Sequence, residues 1–368
     1  MIPVALPSAS FYLLLLISFL AALLLGGWLL ALLVSRGARA SLRRHWLISL
    51  LLMLVLVPLT AFQIVFQHGV QQIHQESERR QAALRSTLEA PTTLYGIEMP
   101  AGTRLTLQRE HQPETFTSAE FPQPVLIQGI ATLRLNRWLQ VLHQEGVPYD
   151  ESPLRTTSLK LSGEGQAAIE GWQCDISALV EFDVSEENDI RFRTCSLSAG
   201  NSVAGIALPA GTELLASDGT LYTNGFRDND RWQLAIPDQQ VITLNGIALS
   251  GFSLRLDQQR QLHSFDNAEL VCSLQLGGWR YPPGTTVSSV PLHLRKQHPN
   301  SWLFSPYEQA AERADGERAE DGITHVWDLQ KTQLVAQMSN AEAGVMRFAT
   351  ILVGDQQEPQ RPACPTGR

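Results

Sequence analysis

The sequence predicts an N-terminal two-helix transmembrane hairpin followed by a mainly-β repeat domain, solenoid- or roll-like, with a few short helices. Three observations predict it. Residues 11–34 and 46–66 are two apolar runs without a charge. Everything after about residue 70 has the composition of a water-soluble protein. In that water-soluble region a ten-residue phrase occurs three times.

The anchor comes first. Phe11 to Val34 is rich in Leu and Ala, and Trp46 to Phe66 matches it in character. At about 1.5 Å per residue each run spans a ~30 Å hydrocarbon core. No Asp or Glu occurs before Glu76. A cleavable signal peptide wants a basic n-region and a shorter apolar stretch. Residues 1–12 contain no basic residue, so the first run reads as an uncleaved helix. Between the runs, Arg36, Arg39, Arg43 and Arg44 mark the cytoplasmic side. Both ends of the hairpin then face outward. In a bacterium this puts the hairpin in the inner membrane and residues 70–368 in the periplasm. Neither run carries an ionisable side chain, which argues for a tether over a pump or channel. Gly26-Gly27 offers room for close helix packing.

The remainder divides by composition. Residues 67–89 are polar, free of Pro and rich in helix formers, and continue the second helix as a stalk. The expected organisation is an anchor over residues 1–67, a helical stalk over 68–92, and a β-repeat domain over 93–304. A helix interrupts that domain at 132–146, where Leu135, Trp138, Leu139 and Leu142 recur at helical spacing before Gly146. An α+β extension with a loose tail follows over 305–368. In it Ser305-Pro306 reads as the start of a short helix, and 324–329 and 345–353 read as strands.

The repeated phrase is G-[IW]-x-x-P-x-G-T-x-[LV]. Its full copies place Gly96, Pro100 and Gly102, then Gly205, Pro209 and Gly211, then Gly278, Pro282 and Gly284. Degenerate copies begin at Gly129, Gly171 and Gly246. Pro at the second position of a turn, followed by a Gly that accepts φ > 0, gives strand–turn–strand. Alternation supports this in Val180-x-Phe182, Ile190-x-Phe192 and Leu254-x-Leu256, and Asp218-Gly219 reads as a tight hairpin. Segments such as Leu254 to Val287 resemble the short repeats of bacterial membrane-anchored β-repeat proteins and are similar to MORN-like repeats. The resemblance covers residues 94–135 and 170–290. It implies a repeat-built β architecture and a family without an assigned activity.

The four cysteines all lie in the exported region, where disulfides form. Cys174–Cys195 across a strand–loop–strand is the first candidate, and Cys195–Cys272 across stacked repeats is its rival. The spacing of Cys and His fits no zinc site. No motif for nucleophilic, phosphate-binding or metalloprotease chemistry occurs. His263, Ser264, Asp266 and Ser273 contain triad residue types, but closeness in sequence is not triad geometry. Glu181, Asp183, Glu186, Glu187 and Asp189 form the densest acidic cluster and lack calcium-loop spacing. No catalytic, cofactor or metal residue is assigned.

Only four of 28 Lys and Arg precede residue 70, so the exported region carries 24 basic against 36 acidic residues. That excludes nucleic acid as its main partner and leaves room for a basic protein. The expected function is a membrane-anchored binding or scaffold protein that recognises a protein partner. One form of it is immunity against a secreted toxin. The alternatives are an accessory subunit of an envelope machine and an envelope hydrolase without a recognisable motif.

Overall fold

A computed structural model describes residues 9–223, 225–346 and 361–365. The chain divides into two units, residues 1–85 and 86–368.

The first unit holds α1 (Ala9–Val34), α2 (Arg36–Arg44) and α3 (Trp46–Ala83). Two of these, α1 and α3, are long and apolar enough to cross a membrane. The chain reverses between them, which brings Phe11 within 5.8 Å of Phe66, ring centre to ring centre. The Ser18 hydroxyl is fully buried. It donates to the Leu15 carbonyl and pairs with the Gln63 amide at 2.7 Å. Gly26 and Gly27 take no part in this packing, because a Cβ at either would meet nothing within 4 Å. The arginine-rich connection is itself helical. The stalk helix stops at Ala83, short of 92, because Arg85–Thr87 is already a strand.

The second unit is mostly β. Its largest sheet is an eleven-stranded antiparallel meander. It runs from Arg85–Thr87 through the long strands Phe116–Ile127, Ile130–Val141 and Leu154–Gly163 to Leu262–Asp266. A seven-stranded sheet runs from Val241–Leu244 to Gln333–Ser339. Short hairpins leave the meander and return to it. The inward faces carry Leu135, Leu159, Leu161, Val180 and Leu214, all with no exposure.

One turn recurs at all six copies of the repeated phrase. Tyr95-Gly96, Gln128-Gly129, Glu170-Gly171, Ala204-Gly205, Asn245-Gly246 and Gly277-Gly278 each join two strands as a two-residue loop. Both residues of every pair have positive φ, as at Tyr95 (53°) and Gly96 (73°). This is the type I′ hairpin, which matches strand twist and needs glycine at its second position. The Pro-x-Gly-Thr segment of the phrase is a second device. In each full copy Thr donates both its N–H and its hydroxyl to the Pro carbonyl, the hydroxyl at 2.7–2.8 Å. Proline therefore sits first in the turn, not second. The Gly N–H donates to the carbonyl of a buried leucine (Leu88, Leu197 or Leu270) whose own N–H returns to the Thr carbonyl.

Several expectations are corrected. Residues 132–146 hold no helix; Ile130–Val141 is a strand of the large sheet. A bulge at Leu133 shifts the alternation, so apolar Trp138 and Leu142 fall on the outward face and Arg137 on the inward one. Apolar residues on both faces imitate helical spacing. No helix starts at Pro306, because Ala311–Arg313 pairs with Trp279–Tyr281. Residues 305–368 are no separate extension, since Ser301–Ser305 pairs with both Thr286–Ser289 and Ile323–Asp328. Asp218-Gly219 closes no tight hairpin; Glu213–Ala216 pairs with Trp232–Ala235. The buried Asp230 carboxylate organises the intervening excursion by accepting from the Thr220 N–H and hydroxyl at 2.7 and 2.9 Å. The strand expected over 345–353 lies outside the described residues from position 347.

Candidate functional site

The outward face of the large sheet is polar and laced with ion pairs. Glu120 joins Arg104 and Arg134 at 2.8 and 2.9 Å. Four of the five carboxylates singled out as an acidic cluster face a cation. Glu181 meets Lys160, Asp183 meets Arg193, Glu186 meets Arg155 and Asp189 meets Arg191. This is a solvated, charge-paired surface. Trp138 interrupts it, at 71% exposure on a strand held on both sides. Leu142 and Tyr149, also exposed, lie at the same end of that hairpin. Trp138 pairs across to Ser158, and Ser158 to Asp183, which places the indole two strands, about 10 Å, from acidic side chains.

The triad residue types do not converge as a triad. Asp266 pairs with Arg255 at 3.0 Å. His263 instead meets Asp228, 35 positions upstream, at 2.9 Å through Nε2. Asp228 is buried; its second oxygen lies 3.6 Å from Arg295 and 3.4 Å from the Tyr222 hydroxyl. Burial and the Asp228 charge together raise the Tyr222 pKa. Arg295 also lies 3.2 Å from His263 Nε2. The Asp228 carboxylate only accepts, so the imidazole proton belongs on Nε2, toward Asp228, and the neighbouring Arg295 nitrogen is then a close contact and not a hydrogen bond. These groups border a cavity of about 340 Å³, whose lining includes His263, Arg295, His298, Asn300 and Trp302. Nothing in the sequence places Asp228 beside His263; the meander fold does.

Three further ionisable groups, His325, Tyr281 and Arg137, are buried. His325 has no exposure, and its Nδ1 shares a hydrogen bond of 2.6 Å with the Tyr281 hydroxyl, which accepts from Trp327 Nε1. Burial lowers the His325 pKa to about 4 and raises that of Tyr281. The imidazole stands edge-to-face on Trp279 with centroids 4.4 Å apart. This chain of hydrogen bonds belongs to the core, away from any described cavity. Arg137 lies between the rings of Tyr95 (4.7 Å) and Phe116 (4.1 Å) and donates to the Glu114 carbonyl. Burial lowers its pKa to about 10.

The remaining sequence-selected residues are structural here. The nine Gly and Pro positions of the full repeats form the turns described above. Cys174 is bonded to Cys195, tying the hairpin strand Trp172–Asp175 to Ile190–Ser196. Cys272 is bonded to Cys364, not to Cys195. The tail is therefore fixed at Cys364, and Arg361 pairs with Glu269 and Glu308 at 3.3 and 3.1 Å. Among the described residues no group of His, Cys, Asp and Glu is arranged to hold a metal ion. Compared with protein-family models, curated proteins and solved structures, the chain finds no match.

Proposed function

We propose that this chain is an inner-membrane-anchored periplasmic protein whose β domain binds a protein partner. The exposed Trp138 carries the proposal. A large aromatic side chain on an ordered strand, surrounded by paired charges, has the character of an interface anchor. Its acidic neighbours and the net charge favour a partner with an apolar pocket rimmed by basic groups. The apolar helices supply the tether, the arginine-rich connection favours a cytoplasmic turn, and two disulfides favour an oxidising compartment. The domain is read as a roll of MORN-like hairpin units, a reading supported by the six alike turns. Neutralisation of an incoming toxin is one form this binding takes.

The test is affinity capture of the full chain from detergent-solubilised membranes. A stoichiometric protein partner is expected, with affinity falling about thirtyfold in Trp138→Ala. Absence of a partner, or retention in a folded Trp138→Ala, refutes the proposal. A second reading, an accessory subunit docked through its helices, draws on the open faces of Gly26 and Gly27. Exchange of residues 1–66 for an unrelated anchor abolishes function in that case and leaves it intact in the first.

A further inference from the structure

The 340 Å³ cavity beside His263 is rich in hydrogen-bond donors and has no carboxylate in its lining. Arg295 turns one terminal nitrogen toward Asp228. Its other N–H groups bond to no described residue, and its side chain is 32% exposed. His263, His298, Asn245 and Asn300 add further donors, while Trp302 and Leu329 form an apolar wall. Asp228 lies beneath, 4% exposed, and its charge is answered by Arg295 and the His263 proton. The run His293, Arg295, Lys296 and His298 is moreover basic within an acidic domain.

We propose that this cavity binds a carboxylate attached to a small apolar body. Four physical reasons favour that ligand. The Arg295 edge that lines the cavity has no acceptor among the described residues, and an anionic oxygen there would replace a water hydrogen bond with a charge-assisted one. The guanidinium fork matches the two oxygens of a carboxylate. Because Asp228 offsets the Arg295 charge, the site compensates a phosphate dianion poorly and holds a carboxylate chiefly through hydrogen bonds to the guanidinium. The apolar wall and the cavity size fit a compact organic body, not a bare ion. The carboxylate comes either from a free small molecule or from an acidic side chain of a bound protein. This inference stands apart from Trp138 and does not depend on the partner proposed above.

Titration calorimetry on the full chain in detergent, at constant ionic strength, tests it. The probes are benzoate for a free acid, N-acetyl-glutamate amide for a protein side chain, and inorganic phosphate as the control. Saturable binding of benzoate or the blocked glutamate is expected, with the tighter of the two naming the source. Phosphate is expected to bind at least tenfold more weakly. Arg295→Gln and His298→Ala are each expected to weaken carboxylate binding about tenfold. His298→Ala is the safeguard, since His298 has no part in the Asp228 cluster. Heat signals from neither carboxylate, binding unchanged in both variants, or phosphate binding as tight as the carboxylates would overturn the proposal.

Discussion

Thr103, Thr212 and Thr285 are each fully buried, and each hands its hydroxyl to a proline carbonyl three residues back. This explains why Thr recurs in the phrase. Thr212→Val keeps the shape and loses that bond, at a cost of about 1 kcal/mol in urea unfolding. Gly211→Ala meets open space, so its cost of roughly 1–2 kcal/mol comes from the backbone at φ +85°. Gly284→Ala has the same backbone problem and also drives a Cβ to 2.7 Å from the Arg361 guanidinium. It is expected to displace Arg361 from Glu269 and Glu308 and to loosen the tail, measured by faster reduction of the Cys272–Cys364 bridge. His325 gives an acid response. Its folded pKa, about 4, lies below the unfolded value near 6.5, so the unfolded chain takes up the proton first. The neutral buried imidazole therefore contributes full stability above pH 6.5, and that stability is lost as pH falls toward 4. The loss is about 3 kcal/mol, and His325→Gln removes this share of the pH slope when unfolding is followed at pH 7 and pH 4.5.

At the level of elements, Ile130–Val141 shows how tertiary pairing overrides local pattern. Its inward face carries a charged residue, Arg137, made tolerable by two aromatic rings and a carbonyl that only the folded hairpins bring near. The Leu133 bulge then breaks strict alternation. Neither feature is visible in a single strand's sequence. The short elements behave the other way. Every x-Gly pair that opens a repeat makes its hairpin locally, because glycine at positive φ sets the turn. The Cys174–Cys195 bridge crosses from a short hairpin to the meander. Replacing both cysteines by serine is expected to lower unfolding stability by roughly 3 kcal/mol, with the loop closure entropy as the cause. An unchanged denaturation midpoint in the double variant would contradict this.

For the whole molecule, the division at residue 85 separates a helical unit from a mostly-β one. The helix α1 and the first two-thirds of α3 expose Leu, Ile and Val, a surface compatible with lipid. The second unit exposes ion pairs, with its leucines inside. The proposed topology is tested by reporter fusions active only outside the cytoplasm. A fusion at residue 90 is expected to be active and one at residue 40 inactive; the reverse pattern would refute the orientation.

The sequence by itself determined the two apolar helices, the mostly-β character of the rest, and the places where the chain turns. Each follows from short-range physics: charge-free length, and glycine where φ must be positive. Only the tertiary structure decided that the strand at Ile130–Val141 displaces a helix, that the last strands share one sheet with the repeats, and that Cys364 closes on Cys272. The same holds for the carboxylate beside His263. Asp228 and His263 meet because antiparallel pairing brings distant strands into register, and burial then fixes which charges must face each other.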